Sequence, residues 1–285
     1  MAKPVPKIAC RQIVEADLAA AAALLREGFP DRTPEYWGAA LEVLRLRQVP
    51  GGYPRYGYLL EVDGEAVGLI LLIFSAVDDQ AGDQIRCNVS SWYVRPAFRN
   101  YGVLLTSAAL SFKEAVYLNI SPARPTWPIL DAQGYRRYSN GQMACVPALG
   151  PPRLSARIRR HDPASEPEFD NLIEPAAKAS CLVLIVESDG ERLPFVFVRR
   201  EIRHFGKGVA QLAYCPSTAD FVRFAGPLGR YLLRRGLPVV LLDSEARVPG
   251  LVGKFFKDRM PKYFRGPRRP RLNDLRHTEA VLFGV

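Results

Sequence analysis

An α+β fold of two halves is predicted, each a mixed, mostly antiparallel sheet flanked by helices, with the second half truncated. Three observations predict it. Two β-rich runs meet at Asp63-Gly64, and two more meet at Ser188-Asp189-Gly190; an Asp-Gly pair supplies the positive φ angles of a tight hairpin turn. Each hairpin is followed by a strand, a helical stretch and another apolar strand, and a helix between two such strands implies a parallel crossover. Between the two series lies a stretch over 151–175 rich in proline and arginine, which reads as a linker.

The chain opens with a strand over 7–14. A helix over 15–29 follows, rich in alanine and leucine, with Asp17 in its first turn. Thr33-Pro34-Glu35 starts a second helix reaching about 47, with Thr33 as cap and Pro34 at the first helical position. Pro50-Gly51-Gly52 ends it. Strands over 56–62 and 65–77 form the first hairpin. A strand over 86–94, an amphipathic helix to about residue 112 and a short strand over 115–120 come next. A brief helix over 124–133, closed by Gly134, and a strand over 135–146 complete the first half. Beyond the linker, strands over 181–187 and 192–199 form the second hairpin. They are followed by a strand (209–215), a helix (219–235), a strand (238–243), a helix (249–259) and a terminal strand (278–283). The second series repeats the later elements of the first without its opening strand and helices. That repetition points to an internal duplication, with domains at 1–150 and 176–285.

Composition narrows the class. The hydrophobic fraction of 48% and charged fraction of 24% are those of a soluble globular protein. The longest apolar run, over 66–77, is too short for a bilayer helix of roughly 20 residues, so no transmembrane segment is expected. The first residues lack the apolar core of a signal peptide. Cys10, Cys87, Cys145, Cys181 and Cys215 stand far apart with no C-x-x-C pair, as in a reduced, cytoplasmic protein. His161, His204 and His277 share no metal-ligand spacing, and no metal site is expected.

Charge is placed unevenly. Residues 1–150 carry a net of +1 and residues 151–285 a net of +9. Much of the excess lies over 254–276, where nine basic residues meet two acidic ones and aromatics interleave around Lys262-Tyr263-Phe264-Arg265. Such a field suits an anionic partner, and the alternative reading is a solvated basic loop.

The stretch Arg99-Asn100-Tyr101-Gly102-Val103-Leu104 follows a strand ending Trp92-Tyr93-Val94 and opens a helix. A strand, a tight turn and a helix N-terminus form a recurring anion site, because free N–H groups point outward and the helix dipole favours negative charge. The run Val94-x-Pro96-x-x-Arg99-x-x-Gly102 resembles motif A of the GNAT acyltransferase superfamily, whose turn cradles the coenzyme A pyrophosphate. The family pattern is arginine or glutamine, two residues, glycine, one residue, then glycine or alanine; here the last position holds Leu104. The predicted element order over 7–146 is also similar to that family's.

The resemblance implies an acyltransferase of the N-acetyltransferase type. It would move an acyl group from acetyl-CoA or another acyl-CoA, or from an acidic acyl carrier protein, to an amine or hydroxyl acceptor. It implies that Trp92, Tyr93 and Val94 flank the pantetheine arm, where two strands splay apart. It also implies that Arg99, Asn100, Tyr101, Gly102, Val103, Leu104 and Leu105 hold the pyrophosphate, mostly through backbone N–H groups. Many family members place a tyrosine acid before a late Gly-Phe pair; here Gly134-Tyr135 fits the pair and Leu130 holds the tyrosine position. Asn88 and Ser90, on one face of the incoming strand, are the candidate catalytic positions, able to position an amine or a water. The second half has no copy of the pyrophosphate turn, since Cys215-Pro216-Ser217-Thr218 stands in its place. Two alternatives stay open. One is an aminoacyl-tRNA-dependent transferase gripping tRNA through the basic half; the other is a non-catalytic binding protein on a decayed GNAT scaffold.

Overall fold

The computed structural model describes residues 6–79, 82–164, 166–173, 181–200 and 208–284. Its contacts divide the chain into two compact units: 1–119 with 265–268, and 120–264 with 269–285.

In the first unit, β1 (Ile8–Gln12) is followed by α1 (Leu18–Gly28) and α2 (Pro34–Leu46). Thr33 caps α2 as expected, its Oγ1 accepting the Tyr36 N–H at 3.3 Å. β2 (Gly57–Val62) and β3 (Glu65–Asp79) meet at Asp63-Gly64, with φ of 53° and 84°. β4 (Gly82–Val94), α3 (Gly102–Ala109) and β5 (Val116–Asn119) complete the unit. The sheet order is β1-β2-β3-β4-β5, antiparallel except for the parallel pair β4–β5. α3 is the crossover that joins that pair, as a parallel connection requires.

The second unit contains α4 (Trp127–Ala132), β6 (Arg136–Cys145), β7 (Arg157–Arg160), β8 (Cys181–Ser188), β9 (Glu191–Arg200) and β10 (Val209–Tyr214). α5 (Thr218–Leu233), β11 (Val239–Ser244), β12 (Gly253–Arg265) and α6 (Glu279–Leu282) follow. The β8–β9 turn repeats the first hairpin, with Asp189 and Gly190 at φ of 53° and 81°. The order is β12-β6-β11-β10-β9-β8-β7, antiparallel except for β10–β11, which α5 joins as a crossover. Both units thus follow one plan: an Asp-Gly hairpin, a third strand, a crossover helix and a parallel fourth strand. α5 lays Phe221, Phe224, Leu228 and Leu232 on Phe195, Phe197, Leu212 and Val240 of the sheet, forming the core.

Several elements differ from the sequence-based expectation. The units part near residue 120 rather than 150, because β6 pairs on both edges, with β11 and β12, inside the second sheet. The stretch over 151–175 is not simply a linker: β7 pairs with β8, and a 3-10 turn covers Pro167–Leu172. Within the expected helix over 249–259, residues from Gly253 onward lie in β12 instead, since the free edge of β6 supplies hydrogen-bond partners that local propensity cannot anticipate. Residues 278–283 hold α6 rather than a strand, with the Val281 and Leu282 N–H groups both donating to the Thr278 carbonyl. The helix expected to reach 112 ends at Ala109.

The segment before the second hairpin is held by one carboxylate. Glu166, fully buried, accepts from Arg159 and Arg192 through Oε1 and from the Asp162 N–H at 3.2 Å through Oε2. Burial pushes this carboxyl up, but the hydrogen bonds from the two arginines and from Asp162 outweigh it and hold it at about 2. Because the folded value is depressed, the stabilisation is complete above the ordinary carboxylate range and is lost as pH falls toward 2. Glu166→Gln is therefore expected to lose about 3 kcal/mol at neutral pH, the low end for breaking a buried pair. Its stability should also fall less steeply than the wild type's between pH 4.5 and 2. Denaturant melts at several pH values check this, and equal slopes for the two proteins would overturn it.

Candidate functional site

The site predicted around residues 88–105 lies within the first unit, and β4 organises it. β4 pairs with β3 along nearly its whole length but with β5 only at Arg86↔Val116, Cys87↔Tyr117 and Asn88↔Leu118. From Val89 to Val94 it runs past the last β5 pair, so its edge diverges there. Asn88 sits where the strands part. Its Nδ2 donates to the Val89 carbonyl at 3.0 Å and to the Leu118 carbonyl at 3.5 Å.

A β-bulge interrupts the diverging stretch. The register steps from Leu71↔Ser90 to Ile70↔Trp92, and the extra residue, Ser91, has φ of 44°. Without the bulge, strand alternation would put Asn88, Ser90, Trp92 and Val94 on one face. With it, the phase reverses after Ser90. Trp92 and Val94 face α3: a Cβ on Gly102 would lie 3.4 Å from the Trp92 ring and 3.5 Å from Val94. Tyr93 faces α1, where a Cβ on Gly28 would stand only 2.4 Å from its ring. Asn88 and Ser90, 1% and 3% exposed, stay on the same face as Arg86, opposite Ser75, whose Oγ accepts from Arg47 Nη2 at 2.7 Å. Ser90 Oγ and Ser91 Oγ lie 3.1 Å apart.

The Tyr93 side chain is committed to α1. Its hydroxyl donates to Glu27 Oε1 at 2.9 Å, while Arg95 Nε donates to Glu27 Oε2 at 3.0 Å and Arg95 also pairs with Glu65. The hydrogen bond from Arg95 holds the Glu27 carboxyl below its ordinary value, and burial, then Glu27, push the Tyr93 phenol up. Glu27 is thus kept ionised and hydrogen-bonded. The Trp92 indole Nε1 is buried with no hydrogen-bond partner among the described residues.

The turn beyond β4 is wound more tightly than the open nest expected. Residues Pro96–Tyr101 form a 3-10 helix running directly into α3. The Phe98 N–H donates to the Arg95 carbonyl at 2.9 Å, and the Gly102 N–H returns to Arg99. Such i to i−3 bonds occupy N–H groups that an open turn would leave free. What the turn does present is side chains. Arg99 and Asn100 are exposed, Tyr101 is half-buried, and Val103 and Leu104 stand outward at 61% and 39% exposure. Gly102 and Leu105 are buried, and the Leu104 carbonyl accepts from the Cys10 thiol at 3.7 Å. Leu130 and Tyr135 are core residues of the second unit.

The described residues contain no cluster of histidine, cysteine or acidic side chains able to hold a metal; His204 lies outside them. Among the described residues, no helix is long and apolar enough to cross a membrane. Four of the nine basic residues over 254–276 are engaged by carboxylates. Lys262 meets Asp243, Arg269 meets Glu245, and Arg271 and Arg276 both meet Asp274. It is neither the solvated loop nor the uninterrupted basic face that the sequence suggests.

Sequence reading missed Ser91, Gly28 and Glu27. Serine carries no signal for positive φ, and nothing local marks Gly28 as the point where α1 meets β4.

Two predictions test the bulge. Left-handed backbone costs a non-glycine residue about 1–2 kcal/mol, so Ser91→Gly should match or exceed wild-type stability. Ser91→Val, β-branched at positive φ, should lose about 2 kcal/mol or more. Urea melts of both variants decide it, and a valine variant as stable as the glycine variant would refute the assigned bulge. Gly28→Ala should lose about 1–3 kcal/mol by overpacking against Tyr93. Tyr93→Ala in that background should recover part of the loss in a double-mutant cycle.

No protein-family model matches the sequence, and no curated protein matches it. Solved structures do match in fold. A GCN5-related N-acetyltransferase from Anabaena variabilis is similar with a TM-score of 0.64 at 9% identity, over 91% of this chain and 72% of that one. One from Kribbella flavida has a TM-score of 0.57 at 14% identity, over 91% and 71%. Eis1 from Mycobacterium abscessus has a TM-score of 0.57 at 12% identity, over 91% and 73%. With its hairpin, bulged third strand, crossover helix and diverging parallel strand, this chain has the fold of the GCN5-related N-acetyltransferases, the GNAT fold.

Proposed function

We propose that the first unit binds an acyl thioester of coenzyme A along the diverging edge of β4 and transfers the acyl group to an amine or hydroxyl. The observation that carries this reading is the conjunction of the Ser91 bulge with the parting of β4 from β5 after Asn88. Strand edge without a β5 partner offers backbone groups to an extended pantetheine arm, as an added strand would use them. The backbone of Trp92, Tyr93 and Val94 would supply those groups. A backbone N–H at the bulge, turned out of the ladder, would polarise the thioester carbonyl.

The acceptor nitrogen or oxygen bonds to the carbonyl carbon, the carbon–sulfur bond breaks, and the thiolate takes up the acceptor's proton. No covalent enzyme intermediate is needed; positioning does most of the work. Asn88 and Ser90 lie beside this edge and are proposed to orient the acceptor. Arg99 and Asn100, exposed on the turn, are proposed to meet the pyrophosphate, with backbone N–H groups of 101–105 joining as the 3-10 turn opens.

Thermal melts with coenzyme A and acetyl-CoA, for wild type and Leu104→Glu, test the reading. Leu104 is exposed in the first turn of α3, so a glutamate there favours the helix dipole by about 0.3–1 kcal/mol while repelling a pyrophosphate. A ligand at a hundredfold excess over Kd adds about 2.7 kcal/mol. The expected outcome is a clear shift in wild type that is largely lost in a variant of equal or higher intrinsic stability. No shift with either ligand would sink the coenzyme A reading and favour a non-catalytic scaffold, or a donor carried on protein or tRNA.

A further inference from the structure

The second unit holds a cavity of about 200 Å³, lined on one face of its sheet. Met143, Cys145, Ala210, Leu212, Val240 and Leu242 point toward α5 and the apolar core. The residues that alternate with them, Gln142, Gln211 and Leu241, line the cavity on the opposite face, with Asp243 on that same face two residues beyond Leu241. A sheet face that is apolar on one side and lined with buried amides and charges on the other is not explained by packing.

The polar lining has a defined direction. Arg259 Nε donates to Gln142 Oε1 at 3.4 Å, which fixes that amide with its oxygen toward the arginine, since a guanidinium cannot accept. Gln142 Nε2 then donates to Gln211 Oε1 at 3.1 Å. The far end of this relay is Gln211 Nε2, a donor on a side chain only 4% exposed, with no acceptor among the described residues. An unsatisfied buried donor of this kind calls for a ligand acceptor.

The charges agree. Lys262 Nζ lies 3.2 Å from Asp243 Oδ1 as an ion pair while donating its hydrogen bond to the Ile120 carbonyl, so the two charges of this buried pair largely cancel. Glu279 accepts from Ser121. Arg200 and Arg259 add two positive charges to the lining against Glu279, leaving an excess of one. Arg259 stands exposed, with no ion-pair partner among the described residues. The remaining walls, Leu241, Leu275 and Ala280 among them, are apolar.

We infer that this cavity binds a small monocarboxylate with a short apolar body, its carboxylate accepting from Gln211 Nε2 and balanced by the excess positive charge that Arg259 brings to the lining. One extra positive charge, a buried donor and an apolar remainder match such an anion in charge, hydrogen bonding and size. The inference is independent of coenzyme A binding by the first unit, and its test uses no acyl donor.

Titration of the full chain with butyrate and hexanoate, followed by calorimetry or NMR shifts, provides that test, with hexylamine and hexanol as shape-matched controls. Hexanoate is expected to bind in the millimolar range and more tightly than either control. Arg259→Ala should weaken it at least about tenfold in a protein that still melts cooperatively, its midpoint lowered only by loss of the Gln142 contact. Gln211→Leu, which keeps the volume and removes the donor, should weaken it similarly. Failure of both acids to bind, equal binding of hexylamine, or an unchanged hexanoate Kd in Arg259→Ala would each overturn the assignment. The alanine variant decides the matter even if the leucine variant does not fold.

Discussion

β4 serves two neighbours with incompatible demands. It must pair with β3 along almost its whole length, yet it leaves β5 after three residue pairs. A regular strand cannot meet both requirements and still fill both faces of the first unit. The extra residue at Ser91 resolves the conflict by letting β4 turn and by reversing the phase of its side chains. The faces of Trp92, Tyr93 and Val94, and the packing of α1 and α3 against them, all follow from that single inserted residue. A strained residue beside a freed strand edge is also where function is expected to concentrate, because strain persists only where the surrounding structure over-determines it.

The second unit repeats the plan, register step included: β10 passes from Leu212↔Phe197 to Tyr214↔Val196 with Ala213 as the extra residue, here without a positive φ. Its crossover helix α5 is longer than α3 and better capped, with Ser217 Oγ accepting the Asp220 N–H at 3.0 Å. Its hairpin carries the same Asp-Gly turn, and its one parallel pair stands in the same place in the order. What sets it apart is polar burial. Asp243, Lys262, Gln142 and Gln211 are all buried on the sheet or its edge. Burial pushes the Asp243 carboxyl up, opposed by Lys262. Such groups are expensive to withdraw from water and add little net stability even when paired. Their concentration around one cavity therefore points to recognition rather than to folding.

The basic excess of the chain has a similar lesson. Over 254–276 it looks like a single field for a polyanion, but the fold draws acidic partners to it from elsewhere. Asp243 and Glu245 come from β11 and its end, and Asp274 lies within the run itself. Arg259, Arg265 and Arg268 retain guanidiniums without a carboxylate partner among the described residues, and of these Arg259 lines the cavity. Net charge bounded the class of partner; the placement of individual carboxylates decided how much of that charge is on offer.

By itself, the sequence determined the local elements whose signals are short-range. Asp63-Gly64 and Asp189-Gly190 specified both hairpins, because few residues tolerate positive φ so readily. Thr33-Pro34 specified the start of α2, and the apolar strands around each crossover helix specified the two parallel pairs. The resemblance around Arg99 and Gly102 was enough to indicate the fold. Only the tertiary structure decided the rest. Gly253 to Met260 became strand because β6 had an edge to be paired, and Glu279–Leu282 closed into a helical turn on the Thr278 carbonyl. Ser91 bulged because β3 and β5 pull β4 in different directions, and no property of serine announces that. The Gln142–Gln211 relay joined two strands 69 residues apart in sequence. Local chemistry is written in neighbouring residues, whereas strand partnership, bulges and buried polar contacts depend on which distant segments compete for the same edge.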